Sequence, residues 1–183
     1  MITCGSLQAL INRGLSPVSF KCGPDYIDPM FHTRVIGAKS RNLDTFFTDR
    51  DVTRYLFAKT AVKADISVLE GVMGIYDGLG GISQKASSYE LAEVTDTPVI
   101  LVVNARGMSL SVIPLIRGYL DYQKESGSQM IRGIILNQTT KMTYLLLKEK
   151  IEQDTGVRLF GYVPRLPDCV IESRHLGLVT PDE

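Results

Sequence analysis

The sequence predicts an α/β domain: a mostly parallel sheet with helices on both faces. Three observations lead there. Apolar, largely β-branched runs recur along the chain, helix-like segments separate them, and polar residues gather where the runs end. A length of 183 residues suits one such domain and is enough to bury a core.

The elements follow in order. Ile2–Arg13 reads as a helix, with Cys4, Leu7, Leu10 and Ile11 near helical spacing and Gly14 where a C-cap glycine belongs. Strand-like runs come at Val18–Lys21, Ile66–Glu70, Val99–Asn104, Ile131–Asn137 and Leu159–Val163. The second, third and fourth are apolar enough to be covered on both faces. Helical candidates lie between them, near Asp49–Ala61, Ser88–Thr95, Ser109–Tyr122 and Thr143–Thr155. Alternating strand and helix implies right-handed βαβ units and parallel pairing. The chain opens on a helix with no strand before it. Either the first strand of a parallel domain is missing or the fold begins with a helix, and pattern alone supports both equally.

Hydrophobic residues make up 44% of the chain and charged residues 22%, which excludes a disordered or fibrous polypeptide. The 20 basic and 20 acidic residues cancel, so bulk positive charge offers nothing to a nucleic-acid partner. Cys4, Cys22 and Cys169 are odd in number, far apart and without a C-x-x-C pair. Neither a disulfide scaffold nor a structural zinc site is indicated, and the cytoplasm is the default location. No apolar run has the length of a transmembrane helix. The N-terminus lacks the pattern of a signal peptide, so no membrane partner is expected.

Chemistry gathers at the strand ends. The first strand runs into Lys21 and a rigid loop with Asp25, Asp28 and two prolines. The second runs into Glu70-Gly71-Val72-Met73-Gly74-Ile75-Tyr76-Asp77-Gly78, the third into Asn104–Gly107, the fourth into Asn137–Thr140 and the fifth into Pro164-Arg165. In one parallel sheet these ends would share an edge, the crevice where ligands bind. Glu70 closes an apolar strand, where an unpaired carboxylate is costly to bury. Two readings are open for it. With Asp25 or Asp28 it could hold Mg²⁺, which takes one or two carboxylates and completes its shell with water and phosphate oxygens; or it could pair with Lys21 or Arg41.

The glycines from Gly71 to Gly81 permit close backbone approach. They form neither G-x-x-x-x-G-K-[ST] nor G-x-G-x-x-G, which favours a flexible substrate loop over a phosphate cradle. Asp77 within it could contact substrate or cap a turn. Arg41–Asp44 lies in a long polar connection between the first strand and its helix, read as an ordered lid that also carries His32. His32 and His175 are each open to a catalytic or a plain hydrogen-bonding role. Cys4 falls on an apolar helix face, and Cys22 and Cys169 have no local base. The absence of a G-x-S-x-G elbow disfavours a serine hydrolase.

Taken together, Lys21–His32 (K-x-G-P-D-Y-I-D-P-x-F-H), Arg41–Asp44, Glu70–Gly78 (E-G-V-M-G-x-x-D-G), Ile134–Asn137 and Glu172–Leu178 resemble the cobyrinic acid a,c-diamide synthase family. Its members are P-loop amidoligases related to cobyric acid synthase and dethiobiotin synthetase. The resemblance covers nearly the whole chain and implies a P-loop NTPase-like, Rossmann-like three-layer domain over residues 1–183. It implies ATP- and glutamine-dependent amidation of the a and c side-chain carboxylates of cobyrinic acid in cobalamin biosynthesis. ATP would phosphorylate a carboxylate and ammonia would displace the phosphate, with Mg²⁺ as cofactor. By position, the resemblance implies Glu70 and Asp28 as metal carboxylates and Lys21 as the cation near the transferred phosphate. It likewise implies Asp25 and Asp77 in turnover, Tyr26, Asp44 and Asp77 in substrate binding, and Asn137 and Pro164 in binding ATP. An enzyme amidating nickel sirohydrochlorin is similar across the same motifs, so the macrocycle stays open. A tetrapyrrole-binding module without ATP turnover, and a homodimer, also stay open.

Two departures shape the expectation. The family begins with a buried strand and a G-x-x-x-x-G-K-[ST] loop that grips phosphate through backbone amides, a lysine and a hydroxyl. This chain starts at Met1-Ile2-Thr3-Cys4-Gly5, just beyond where that loop should end. It stops at Glu183, where family members continue into a glutaminase domain. The expectation is therefore an inactive fragment whose Met1 is an internal codon. Such a fragment would have unpaired strand edges, weak Mg·ATP binding and no ammonia source of its own.

Overall fold

The computed structural model describes residues 1–125, 127–167, 173–174 and 177–178. They form two compact units, Met1–Thr95 with Ile171–Glu183, and Asp96–Val170. Cys169, Glu172 and His175 lie outside the described residues.

In the first unit α1 (Ile2–Asn12) leads into β1 (Pro17–Cys22). Gly14 adopts φ +80°, and its amide returns to the Ile11 carbonyl at 2.8 Å, closing α1 as the glycine position predicts. A short helix α2 (Ile27–Met30) runs directly into one π-helical turn, Phe31–Val35. Then follow β2 (Lys39–Leu43), α3 (Arg50–Ala61), β3 (Ile66–Glu70), a 3₁₀ turn over Leu79–Gly81 and α4 (Ser88–Thr95). The sheet is parallel, in the order β2-β1-β3. α3 begins on an Asp49 cap, whose Oδ1 accepts from the Val52 amide at 2.8 Å.

β1 is the centre of this unit, and all six of its residues are buried. Its sequence alternates, so its two faces differ. Val18, Phe20 and Cys22 join Leu43 and Leu91 in an apolar layer, with Phe57 and Leu69 packed against it. Ser19 and Lys21 occupy the other face. In register with them stand Ser40 and Asn42 on β2, and Val68 and Glu70 on β3. The strand thus separates a core from a polar site, because successive side chains point to opposite sides.

The second unit repeats the parallel α/β pattern with β4 (Val99–Asn104), α5 (Val112–Glu125), β5 (Ile131–Asn137), α6 (Lys141–Thr155) and β6 (Arg158–Val163). Its sheet order is β4-β5-β6. α6 is capped by Thr140, which accepts from the Thr143 amide, and ends on left-handed Gly156. Two short antiparallel strands, β7 (Ser173–Arg174) and β8 (Gly177–Leu178), complete the described chain.

The α/β class and all five expected strands are present, with three differences. The long polar connection contains a strand: Lys39–Leu43 forms β2, hidden from a hydrophobic reading because it is an edge strand with only Leu43 buried. The strands form two three-stranded sheets rather than one, so the polar ends are divided between the units. Of the strands expected to be covered on both faces, β5 fits best, being central in its sheet. β3 is only half-buried, and β4 alternates, leaving Ile100 and Val102 exposed. Both are edge strands, and among the described residues neither has a second partner.

Phe20 is fully buried, with its ring centroid 5.1 Å from that of Phe57. Phe20→Ala is expected to destabilise the chain by about 3–5 kcal/mol. Urea unfolding followed by circular dichroism measures this.

Candidate active site

The first unit gathers its charges at the C-terminal end of β1. Lys21 is only 5% exposed. Its register partner on β3 is Glu70, whose Oε2 lies 3.6 Å from Nζ. Asp28, in α2, makes a close ion pair with the same ammonium, and Asp25 Oδ2 stands 3.9 Å away. Burial pulls the Lys21 pKa down, but the hydrogen bond to Asp28 and the charges of Glu70, Asp28 and Asp25 outweigh it, so the group sits above the ordinary lysine value. Lys21 therefore stays charged at neutral pH.

Glu70 shows the opposite balance. Burial pushes its pKa up, yet His32, Lys21 and the Thr3 hydroxyl of α1 together hold it below the ordinary carboxylate value. His32 Nε2 is 3.3 Å from Oε2. That oxygen is buried, and no residue among those described meets the geometry of a hydrogen bond to it.

The loop after β1 is built to present these groups. Asp25 Oδ1 accepts from the amides of Ile27 (2.8 Å) and Asp28 (3.3 Å), which starts the short helix and fixes Asp28. Asn42, in register with Lys21, donates through Nδ2 to the carbonyls of Gly23 (2.8 Å) and Asp25 (2.5 Å). Glu90 of α4 ties the next loop down, accepting from the Thr45 hydroxyl at 2.8 Å and the Ala86 amide at 2.5 Å.

The structure brings Lys21, Asp25, Asp28 and Glu70 together and adds His32. Of the two readings of Glu70, the ion pair with Lys21 is present. Asp77 caps a turn, its Oδ2 accepting from the Gly74 amide at 2.9 Å. A Cβ on Gly74 would come within 2.5 Å of that oxygen, which explains the glycine there. Asp44 Oδ1 similarly accepts from the Phe46 amide. Tyr26 is 73% exposed and touches none of the charged groups by any described hydrogen bond. His32 is a buried hydrogen-bonder, 1% exposed. Burial pushes the thiols of Cys4 and Cys22 up, as expected of unreactive cysteines.

Asn137 and Pro164 belong to the second unit. Asn137 closes β5 opposite Asn104, and its Oδ1 accepts from the Gln138 amide at 3.0 Å. Gln138 adopts φ +58°, so the chain turns sharply there. Sequence reasoning misses Ser19, Ser40 and Glu90 as site residues, and gives Asn42 no role although it lies inside Arg41–Asp44. The alternation P-V-S-F-K-C in β1 was the available signal for Ser19.

Among the described residues no three His, Cys, Asp or Glu side chains form a metal cage. Two-carboxylate binding of a hard cation remains compatible with the site. Asp25, Asp28 and Glu70 contribute −3 against +1 from Lys21, leaving −2, and the Glu70 oxygen lacks a donor.

The parallel α/β architecture, with helices flanking each three-stranded sheet, is consistent with a P-loop NTPase-like fold. Residues 39–173 match the family described as an AAA domain, and the chain belongs to that family of P-loop proteins. It is similar over nearly its whole length to curated cobyrinate a,c-diamide synthases. It is 40% identical to that of Thermoplasma volcanium over 99% of this chain and 39% of the relative. It is 45% identical to that of Caldanaerobacter subterraneus (94% and 38%). It is 37% identical to that of Methanocaldococcus jannaschii (100% and 41%). The chain thus spans about two fifths of the length of these relatives. No helix among the described residues is long and apolar enough to cross a membrane.

The cluster sets a pH window. Glu70, depressed when folded, contributes stability that is present above its ordinary value of 4.5 and lost as pH falls through the lower folded value. Lys21, raised when folded, contributes stability that is full below 10.5 and lost as pH rises through the higher folded value. Urea midpoints measured against pH are expected to decline below 4.5, and Glu70→Gln to flatten that acid limb.

Proposed function

We propose that this chain supplies the carboxylate-activating site of an ATP- and glutamine-dependent ligase that amidates cobyrinic acid in cobalamin biosynthesis, in the cytoplasm. The observation that carries this is the buried Lys21, charged at neutral pH and held between Glu70 and Asp28 at the end of β1. Its support is the similarity to cobyrinate a,c-diamide synthases.

Lys21 provides a fixed ammonium for the charge of a transferring phosphoryl group, already oriented by its ion pairs. Glu70 and Asp28 are the residues that would hold Mg²⁺, Glu70 through the oxygen left without a donor. The chemistry a bound Mg²⁺ supplies is charge neutralisation on the phosphates. Asp25 acts on turnover through the amides it accepts, which place Asp28. Asp77 shapes the Gly71–Gly81 loop, and with Asp44 and Tyr26 we assign it to the macrocycle. Asn137 and Pro164, in the second unit, are assigned to ATP. Ammonia released from glutamine by a glutaminase domain would displace phosphate from the activated carboxyl group.

The test uses the full polypeptide containing this chain, with cobyrinic acid, Mg·ATP and either glutamine or ammonium chloride, and mass spectrometry of the macrocycle. Amidation is expected in the intact protein. Glu70→Gln should lower turnover by more than about 100-fold, the upper end for residues that merely support a metal ligand. Near-normal turnover in that variant would remove Glu70 from the metal site.

A further inference from the structure

The loop that follows β2 is tied down at several points, yet it turns two phenyl rings outward. Asp44 Oδ1 accepts from the Phe46 amide at 2.8 Å, and the Asp44 carbonyl accepts from the Thr48 amide at 3.2 Å and the Thr48 hydroxyl at 2.8 Å. The Thr45 hydroxyl is held by Glu90. Phe46 and Phe47 pack edge to face with ring centroids 4.9 Å apart, and they stay 56% and 70% exposed. One exposed aromatic residue needs no explanation, but a pair locked together away from the core does.

The two rings line a cavity of about 340 Å³ within the first unit, together with Arg50 at the start of α3 and Lys85. Among the described residues neither cation has an ion pair. The carboxylates in the cavity wall are engaged by neutral donors: Asp49 accepts from the Val52 amide, and Glu90 from the Thr45 hydroxyl and the Ala86 amide. The Gly23 amide donates to the Leu43 carbonyl at 3.0 Å, so this loop leaves the sheet beside the one that carries Asp25 and Asp28. Both lie on the strand edge where parallel sheets bind ligands. Two aromatic surfaces beside two unpaired cations suit an anion with a broad apolar body and carboxylates at its periphery.

We propose that this cavity receives one edge of the macrocycle. Phe46 and Phe47 cover its apolar rim, and Arg50 and Lys85 pair with peripheral carboxylates other than the one being activated. The site therefore favours the free acid over more amidated forms of the same ring, because an amide offers a cation no counter-charge. The proposal rests on the reading of the chain as part of a ligase acting on cobyrinic acid.

The test is equilibrium binding to the full polypeptide containing this chain, followed by the visible absorption of the corrin. The probes are cobyrinic acid and its fully amidated counterpart, which keeps the ring and lacks the carboxylates. The double variant Arg50→Gln with Lys85→Gln, checked for folding by circular dichroism, is expected to weaken cobyrinic acid binding at least about 10-fold, the low end for lost hydrogen bonds to charged groups. It should leave the amidated probe unaffected. Phe46→Ala with Phe47→Ala should weaken both probes alike. If the folded cation variant binds cobyrinic acid like the parent, or loses both probes equally, Arg50 and Lys85 do not read carboxylates and the proposal is wrong. If the phenylalanine variant binds both probes like the parent, the aromatic pair does not hold the ring. A parent that binds neither probe would overturn the macrocycle reading itself, and the proposal with it.

Discussion

The rest of the first unit depends on one buried charge. Lys21 lies in the central strand of its sheet, almost without solvent. The effective cost of burying an unpaired ion is several kcal/mol, and it is offset only when counter-charges and hydrogen bonds are well placed. The surrounding sequence reads as a set of answers to that demand. Glu70 ends the neighbouring strand at the matching register, α2 brings Asp28, Asp25 starts α2, and Asn42 pins the loop that carries both. The features that attract attention as catalytic are thus first requirements of folding.

The same arrangement fixes what the site can hold. Three carboxylates face one ammonium, so the cluster is not a phosphate cradle by itself. An anion such as a nucleotide would meet net repulsion there unless a cation accompanied it. Glu70 keeps one oxygen without a donor while burial is opposed by His32, Lys21 and Thr3. The charge state favoured by the fold is therefore the one that attracts a hard cation.

Much of this was legible in the sequence. Lys21, Asp25, Asp28 and Glu70 stood out because charged residues terminating apolar runs need partners, and the fold supplies those partners from one another. The strands of high hydrophobicity were found at nearly their observed limits. β2 was not, because an edge strand with one buried side chain carries no hydrophobic period, and its identity depends on pairing with β1. Ser19 and His32 were obscured differently. A serine inside an apolar run looks like an imperfection of the core until the alternation of faces is known, and a loop histidine gives no sign of being buried. Asp77 and Asp44 were visible as carboxylates, but only the backbone amides they accept show that they close turns.

The two-faced character of β1 has a consequence for how the chain avoids wrong structures. Sliding the strand by one residue would drive the Lys21 ammonium and the Ser19 hydroxyl into the layer of Phe57, Leu69 and Leu91, and would set the Phe20 ring among the carboxylates. Strands made only of aliphatic residues can slip at little cost. Here each misaligned state carries a stranded ion, which widens the energy gap between the native pairing and its competitors. The lysine that makes the sheet costly to assemble also makes it hard to assemble incorrectly.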